Sequence, residues 1–150
     1  MIHRIVSIAL LTLLCVSLLS AGSGCEGASK RDREIRDKLE VKLKEWNENG
    51  TFPVPEEGFP TINCLKEWYF KYNNLYLIFN STKAHPVTSR GIMEIIAVEW
   101  HNLYPENLKP RFILEVYAFK DVKASDSEWG KCKIKRDGNA EVHWYATDVY

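Results

Sequence analysis

Histidine and cysteine are the side chains of this sequence best suited to acid–base, nucleophilic or metal chemistry, and their spacing gathers them nowhere. Beyond the N-terminal segment the histidines are His85, His101 and His143. His85 precedes a proline in a loop, His101 falls on the polar side of a helical pattern, and His143 falls on the outward side of a strand pattern near Lys131 and Lys133. A metal ion needs convergent ligands, and nearby lysines oppose a cation, so no metal site is expected. Helical spacing keeps His101 apart from Glu99, which leaves Glu94 or Glu99 with His101 as thin ground for catalysis. Cys64 and Cys132 have no adjacent histidine or helix N-terminus to lower a thiol pKa and read as structural. No glycine-rich phosphate loop, paired CxxC, HExxH or GxSxG occurs, and no cofactor is expected.

The aromatic side chains offer a different chemistry. With 7 tyrosines and 5 tryptophans, the chain has more large amphipathic rings than a core of this size consumes. Tyr69, Tyr76, Tyr117 and Tyr145 fall on strand faces opposite those assigned to the core. A tyrosine-rich sheet face suits a carbohydrate, a peptide or a partner protein. The plainer expectation is that an N-terminal helix or a proline-rich strap covers this face.

The elements that position these residues follow from periodicity. Ile92, Met93, Ile96, Ala97, Trp100, Leu103 and Tyr104 recur at helical spacing and define an amphipathic helix, with Thr88 or Ser89 as cap and Pro105 and Pro110 beyond its end. Ile95 and Val98 lie outside that arc and call for a second element behind the helix. Arg111 to Phe119 then reads as a strand, apolar on both faces and therefore central. Before the helix, Glu67 to Tyr72 and Leu75 to Asn80 form a hairpin about Asn73-Asn74, pairing Trp68 with Phe79, Phe70 with Leu77 and Tyr72 with Leu75 on the core face and Tyr69 with Ile78 on the other.

After the central strand, Trp129 to Arg136 and Asn139 to Thr147 form a second hairpin. Parity selects its turn. A two-residue Asp137-Gly138 loop would set Ile134 opposite Glu141, whereas a three-residue Arg136-Asp137-Gly138 loop pairs Cys132 with Val142, Gly130 with Trp144 and Lys133 with Glu141. The longer loop is expected, with Cys132, Ile134, Val142 and Trp144 inside. Nearer the N-terminus, Ile35, Leu39, Leu43 and Trp46 line one narrow face of a highly charged helix, which predicts packing against the domain rather than at its centre. Thr51 to Pro60 is too rich in proline for regular structure and reads as a strap pinned by Phe52, Val54 and Phe59.

The first residues carry a targeting signal. His3 and Arg4 precede an apolar run from Ile5 to Leu19, and Ser20 to Gly24 is built of small residues, the pattern of a secretory signal. The run also approaches the length of a spanning helix, so an uncleaved anchor is the competing reading. Ser23-Gly24-Cys25 resembles the end of a lipoprotein lipobox, although Gly22 stands where that pattern usually has an aliphatic residue. The resemblance implies that Cys25 is acylated and becomes the mature N-terminus. Acylation of Cys25 would leave Cys64 and Cys132 to form a disulfide, worth about 2–5 kcal/mol, or to remain as buried thiols. Asn49-Gly50-Thr51 and Asn80-Ser81-Thr82 fit the glycan acceptor triplet, making Asn49 and Asn80 candidate glycosylation sites.

Together these readings give an α+β fold: a mostly antiparallel sheet of about five strands, one amphipathic helix across a face, and a charged N-terminal helix. The expected organisation is a signal over 1–24, a linker, charged helix and strap over 25–60, and a single domain over 61–150. Lysine plus arginine equals aspartate plus glutamate, 20 against 20, which excludes a strongly basic nucleic-acid-binding surface as the default. The expected function is a non-catalytic binding or interaction module, extracytoplasmic and tethered to the membrane, with secretion as the alternative location. The alternative function is an exported hydrolase, or an inhibitor of one, with a dispersed site around His101 or His143.

Overall fold

The computed structural model describes residues 29–55, 59–108, 110 and 112–147. The signal segment and Cys25 lie outside the described residues. Two helices and five strands follow in the order α1 (Lys30–Asn49), β1 (Leu65–Lys71), β2 (Asn74–Phe79), α2 (Pro86–Asn102), β3 (Leu114–Lys120), β4 (Glu128–Ile134) and β5 (Ala140–Trp144). The strands form one sheet in chain order, antiparallel at every junction except the parallel pair β2–β3. A parallel pair requires a crossover, which α2 supplies. The fold is α+β, and β3 is its middle strand.

Both helices pack on one face of the sheet. Leu75, Leu77 and Phe79 of β2, Leu114, Val116 and Ala118 of β3, and Cys132 and Ile134 of β4 meet Ile92, Met93, Ile96, Ala97 and Trp100 of α2 in a single buried cluster. The same cluster includes Ile35, Leu39 and Leu43 of α1, while most of the helix is exposed, so α1 packs against the domain by one narrow face, as its sequence pattern predicts. Polar anchors fix its position. Buried Asn47 donates its Nδ2 to the Leu65 carbonyl at 3.0 Å and accepts the Leu65 N–H at 2.8 Å, joining α1 to the sheet edge. At the other end, the Tyr104 hydroxyl donates to buried Asp32 at 2.5 Å. Asp32 also completes a capping box with Ser29, whose side chain accepts the Asp32 N–H at 3.2 Å. Gly50 then closes α1 at φ 67°, a left-handed conformation that glycine adopts without penalty.

Helix α2 starts earlier than its sequence pattern implies. His85, not Thr88 or Ser89, is the cap, its Nδ1 accepting the Val87 N–H at 3.3 Å. Pro86 needs no such partner at the first helical position, and Thr88 and Ser89 are buried within the first turn. The strap crosses α2: Phe52 is buried against Trp46, 5.7 Å between ring centroids, and Val54 meets Gly91. This is the element behind Ile95 and Val98. Strand β3 begins at Leu114, later than expected, because Phe112 turns out of the run to pack on Trp100 at 5.4 Å.

The β4–β5 hairpin has the expected pairs, Cys132 with Val142, Gly130 with Trp144 and Lys133 with Glu141, and Gly138 sits at φ 86°. The β1–β2 register differs from expectation. Trp68 pairs with Leu77, Phe70 with Leu75 and Tyr69 with Tyr76, and the turn is Tyr72-Asn73, with Tyr72 at φ 54°. Both registers keep Trp68 and Phe70 on the core side, but the one adopted moves Tyr72 from its expected place inside, opposite Leu75, into the exposed turn, and it places two tyrosines opposite each other.

The expected Cys64–Cys132 bridge is not made. Among the described residues both are free, buried thiols. Cys64 borders β1 and Cys132 lies in β4, with β2 and β3 between them. Three strand spacings amount to about 14 Å, well beyond the reach of a disulfide.

Candidate functional site

The face of the sheet opposite the helices carries three rows of side chains, each set by strand register. One row runs Tyr69, Tyr76, Tyr117, Lys131, His143 across all five strands. A second runs Lys71, Asn74, Glu115, Lys133, Glu141, and a third begins Glu67, Ile78, Phe119, Glu128. Because α1 and the strap pack with α2 on the other face, neither covers these rows. The expected cover is thus corrected among the described residues, and its cause is the docking of α1 through Ile35, Leu39, Leu43 and Asn47.

The tyrosines form a continuous stack. Ring centroids are 5.2 Å apart for Tyr69 and Tyr76 and 5.3 Å for Tyr76 and Tyr117, with interplanar angles of 20° and 14°. Phe119 extends the stack, 6.2 Å from Tyr76. Strand spacing sets this repeat, so the rings are held in place by the backbone ladder beneath them. Two hydroxyls are fixed as well. Tyr117 donates to Glu115 at 2.5 Å, and the Asn74 Nδ2 donates to the Tyr76 oxygen at 3.2 Å. The hydrogen bond to Tyr117, with help from Lys133 at 3.2 Å, lowers the Glu115 pKa, and the same bond raises that of Tyr117.

Cations flank the stack. The ammonium of Lys123, in the loop between β3 and β4, lies 3.7 Å from the centroid of Tyr76 and 5.8 Å from that of Tyr69. Lys131 stands directly across from Tyr117. Neither lysine is in an ion pair among the described residues, whereas Lys133 and Lys135 are neutralised by Glu115 and Glu141. The face therefore presents tyrosine rings, fixed hydroxyls and two ammonium groups in no ion pair among the described residues, one of them seated on Tyr76. That combination is chemically suited to apolar C–H faces and anionic substituents.

The other sequence-derived sites are scattered. Tyr145 follows β5 and is 55% exposed, outside the stack of the other three tyrosines. His85 serves the α2 cap and stacks on Phe59 at 4.1 Å. His101 hydrogen-bonds through Nε2 to the Arg136 carbonyl at 3.1 Å, and His143 contacts Glu141 at 3.1 Å. Among the described residues, no group of histidine, cysteine, aspartate and glutamate could hold a metal ion. Asn49 ends α1 on the surface, and the Asn80 Oδ1 accepts from the Thr82 N–H at 3.1 Å and its hydroxyl at 2.7 Å. Burial pushes the Cys64 and Cys132 thiols up to about 12, far from reactive.

Sequence reasoning missed Lys123, Lys131, Glu115 and Asn74. Alternation places the last three on the outward face, but Lys123 sits in an irregular loop whose path no pattern specifies. No protein-family model matches the chain, and neither a curated protein nor a solved structure shows significant similarity to it.

Proposed function

We propose that this chain is an extracytoplasmic binding module, tethered to the membrane through Cys25, that takes an acidic carbohydrate on its open sheet face. The observation that carries the reading is the row Tyr69, Tyr76, Tyr117, Lys131, with Lys123 lying over its centre. Pyranose rings offer apolar C–H faces to aromatic rings, and uronate carboxylates would pair with the two free lysines. The tether is supported by the apolar run from Ile5 to Leu19 and by Ser23-Gly24-Cys25. Among the described residues no helix is long and apolar enough to cross a membrane, so within them the chain offers no other spanning segment.

Affinity electrophoresis through gels containing polygalacturonate or a neutral glucan tests the ligand. Retardation in the acidic gel alone, reduced by Tyr76→Ala and by Lys131→Ala, is expected. Equal mobility in both gels would remove the carbohydrate reading. The tether is tested separately by the intact mass of protein extracted from its own host's membranes. A mass carrying acyl chains on Cys25 is expected, and an unmodified N-terminus near Ser23 would place the protein outside the membrane.

A further inference from the structure

A second surface, on the opposite side of the domain, has a different chemistry. A cavity of about 230 Å³ lies between the strap and the start of α2, with Thr88, Arg90, Glu94 and Trp144 in its wall. An adjoining apolar cavity of about 360 Å³ is lined by Pro53, Ile95 and Val98. Pro55, Gly91 and Glu94 border both, so the two form one groove along the outer side of α2.

The first cavity holds polar groups the fold does not use. Thr88 is 3% exposed, and neither its hydroxyl nor the Trp144 Nε1–H has a hydrogen-bond partner among the described residues. Buried donors are nearly always paired with protein or ordered water, so both groups are open to an acceptor that arrives from outside. Arg90 and Glu94 stand one helical turn apart, and neither is in an ion pair among the described residues. Glu99, further along the groove, is by contrast held by Lys42.

The order of these groups is cation and hydrogen-bond donors, then carboxylate, then apolar cavity. We propose that the groove binds a free apolar α-amino acid. Its carboxylate pairs with Arg90 and accepts from Thr88 and Trp144, its ammonium pairs with Glu94, and its side chain enters the cavity lined by Pro53, Ile95 and Val98. An acid lacking the ammonium would leave Glu94 facing a carboxylate, and a polar side chain would have no partner in the far cavity.

L-Leucine and L-phenylalanine, titrated into the intact protein by calorimetry and by thermal unfolding, test the proposal. Saturable binding at about millimolar concentration or below is expected, with a melting temperature that rises with the logarithm of ligand concentration. N-Acetyl-leucine and leucinamide, each lacking one charge, should bind at least about tenfold more weakly. Glu94→Gln and Arg90→Gln are surface changes that preserve the fold, and each should weaken L-leucine about tenfold or more, while Tyr76→Ala leaves it unchanged. Absence of saturable binding for both amino acids, or an unchanged affinity in Glu94→Gln, overturns the assignment.

Discussion

Lys123 holds its ammonium 3.7 Å from the ring centroid of Tyr76, laying a cation over the middle of a tyrosine stack that runs across three strands. An exposed cation–π contact is worth about 0.5–1 kcal/mol, too little to matter to the stability of a whole domain. Its consequence lies in what the face presents. A ligand on this face would meet aromatic surface and positive charge at the same point.

Replacing Lys123 by alanine is therefore expected to leave the unfolding midpoint nearly unchanged and to weaken polygalacturonate binding about fivefold at low salt. The difference between Lys123→Ala and the parent should shrink as ionic strength rises, because exposed charges are screened. Binding measured at two salt concentrations checks this, and a salt-independent loss would show that Lys123 acts by shaping the loop.

The Tyr104 hydroxyl bonds Asp32 at 2.5 Å and ties the start of α1 to the segment just beyond α2. Tyr104→Phe removes a buried hydrogen bond to a charged group and should cost about 1.5–3 kcal/mol. Urea unfolding should show a lower midpoint with an unchanged slope, the mark of lost stability without a changed unfolded state.

Asp32 also sets an acid dependence. Burial pushes its pKa up, but hydrogen bonds from Ser29 and Tyr104, with the charge of Arg36, together hold it below the ordinary value. A carboxylate depressed in the folded state contributes stability above its unfolded pKa, about 3.9, and loses that contribution as pH falls through the lower folded value. Stability measured from neutral pH down to about pH 2 should fall in that window. Asp32→Asn should be less stable at neutral pH and show a shallower acid decline; parallel profiles would contradict the assignment.

Both thiols of the domain should be silent in the native protein. With Cys64 and Cys132 buried and pushed up to about 12, alkylation near pH 8 should leave both peptides unmodified until denaturant is added, and reduction should not change the intact mass by the two hydrogens of a bridge between them.

Much of the scaffold was legible because period and parity are local. The three-residue turn before Asn139 followed from keeping Cys132 and Val142 on one face, and the apolar character of β3 on both faces marked it as central. The β1–β2 register was not legible, since moving Trp68 from Phe79 to Leu77 keeps Trp68 and Phe70 on the core side and changes the placing of Tyr72 alone, from the core face to the exposed turn. The docking of α1 was hidden because Asn47 and Asp32 look like ordinary helix-surface residues until Leu65 and Tyr104 are brought to them. The aromatic row was legible only as separate tyrosines. Its continuity needs the parallel pairing of Tyr76 with Tyr117, which is set by the α2 crossover and by nothing within either strand.

The most direct test of the open sheet face is to titrate isotopically labelled protein with oligogalacturonate and follow backbone and aromatic resonances by NMR. The proposed function predicts saturable shifts concentrated at Tyr69, Tyr76, Tyr117, Lys123 and Lys131, with the residues of α1 and α2 unmoved. Shifts confined to the helical side, or none up to saturation of the sugar's solubility, would contradict it.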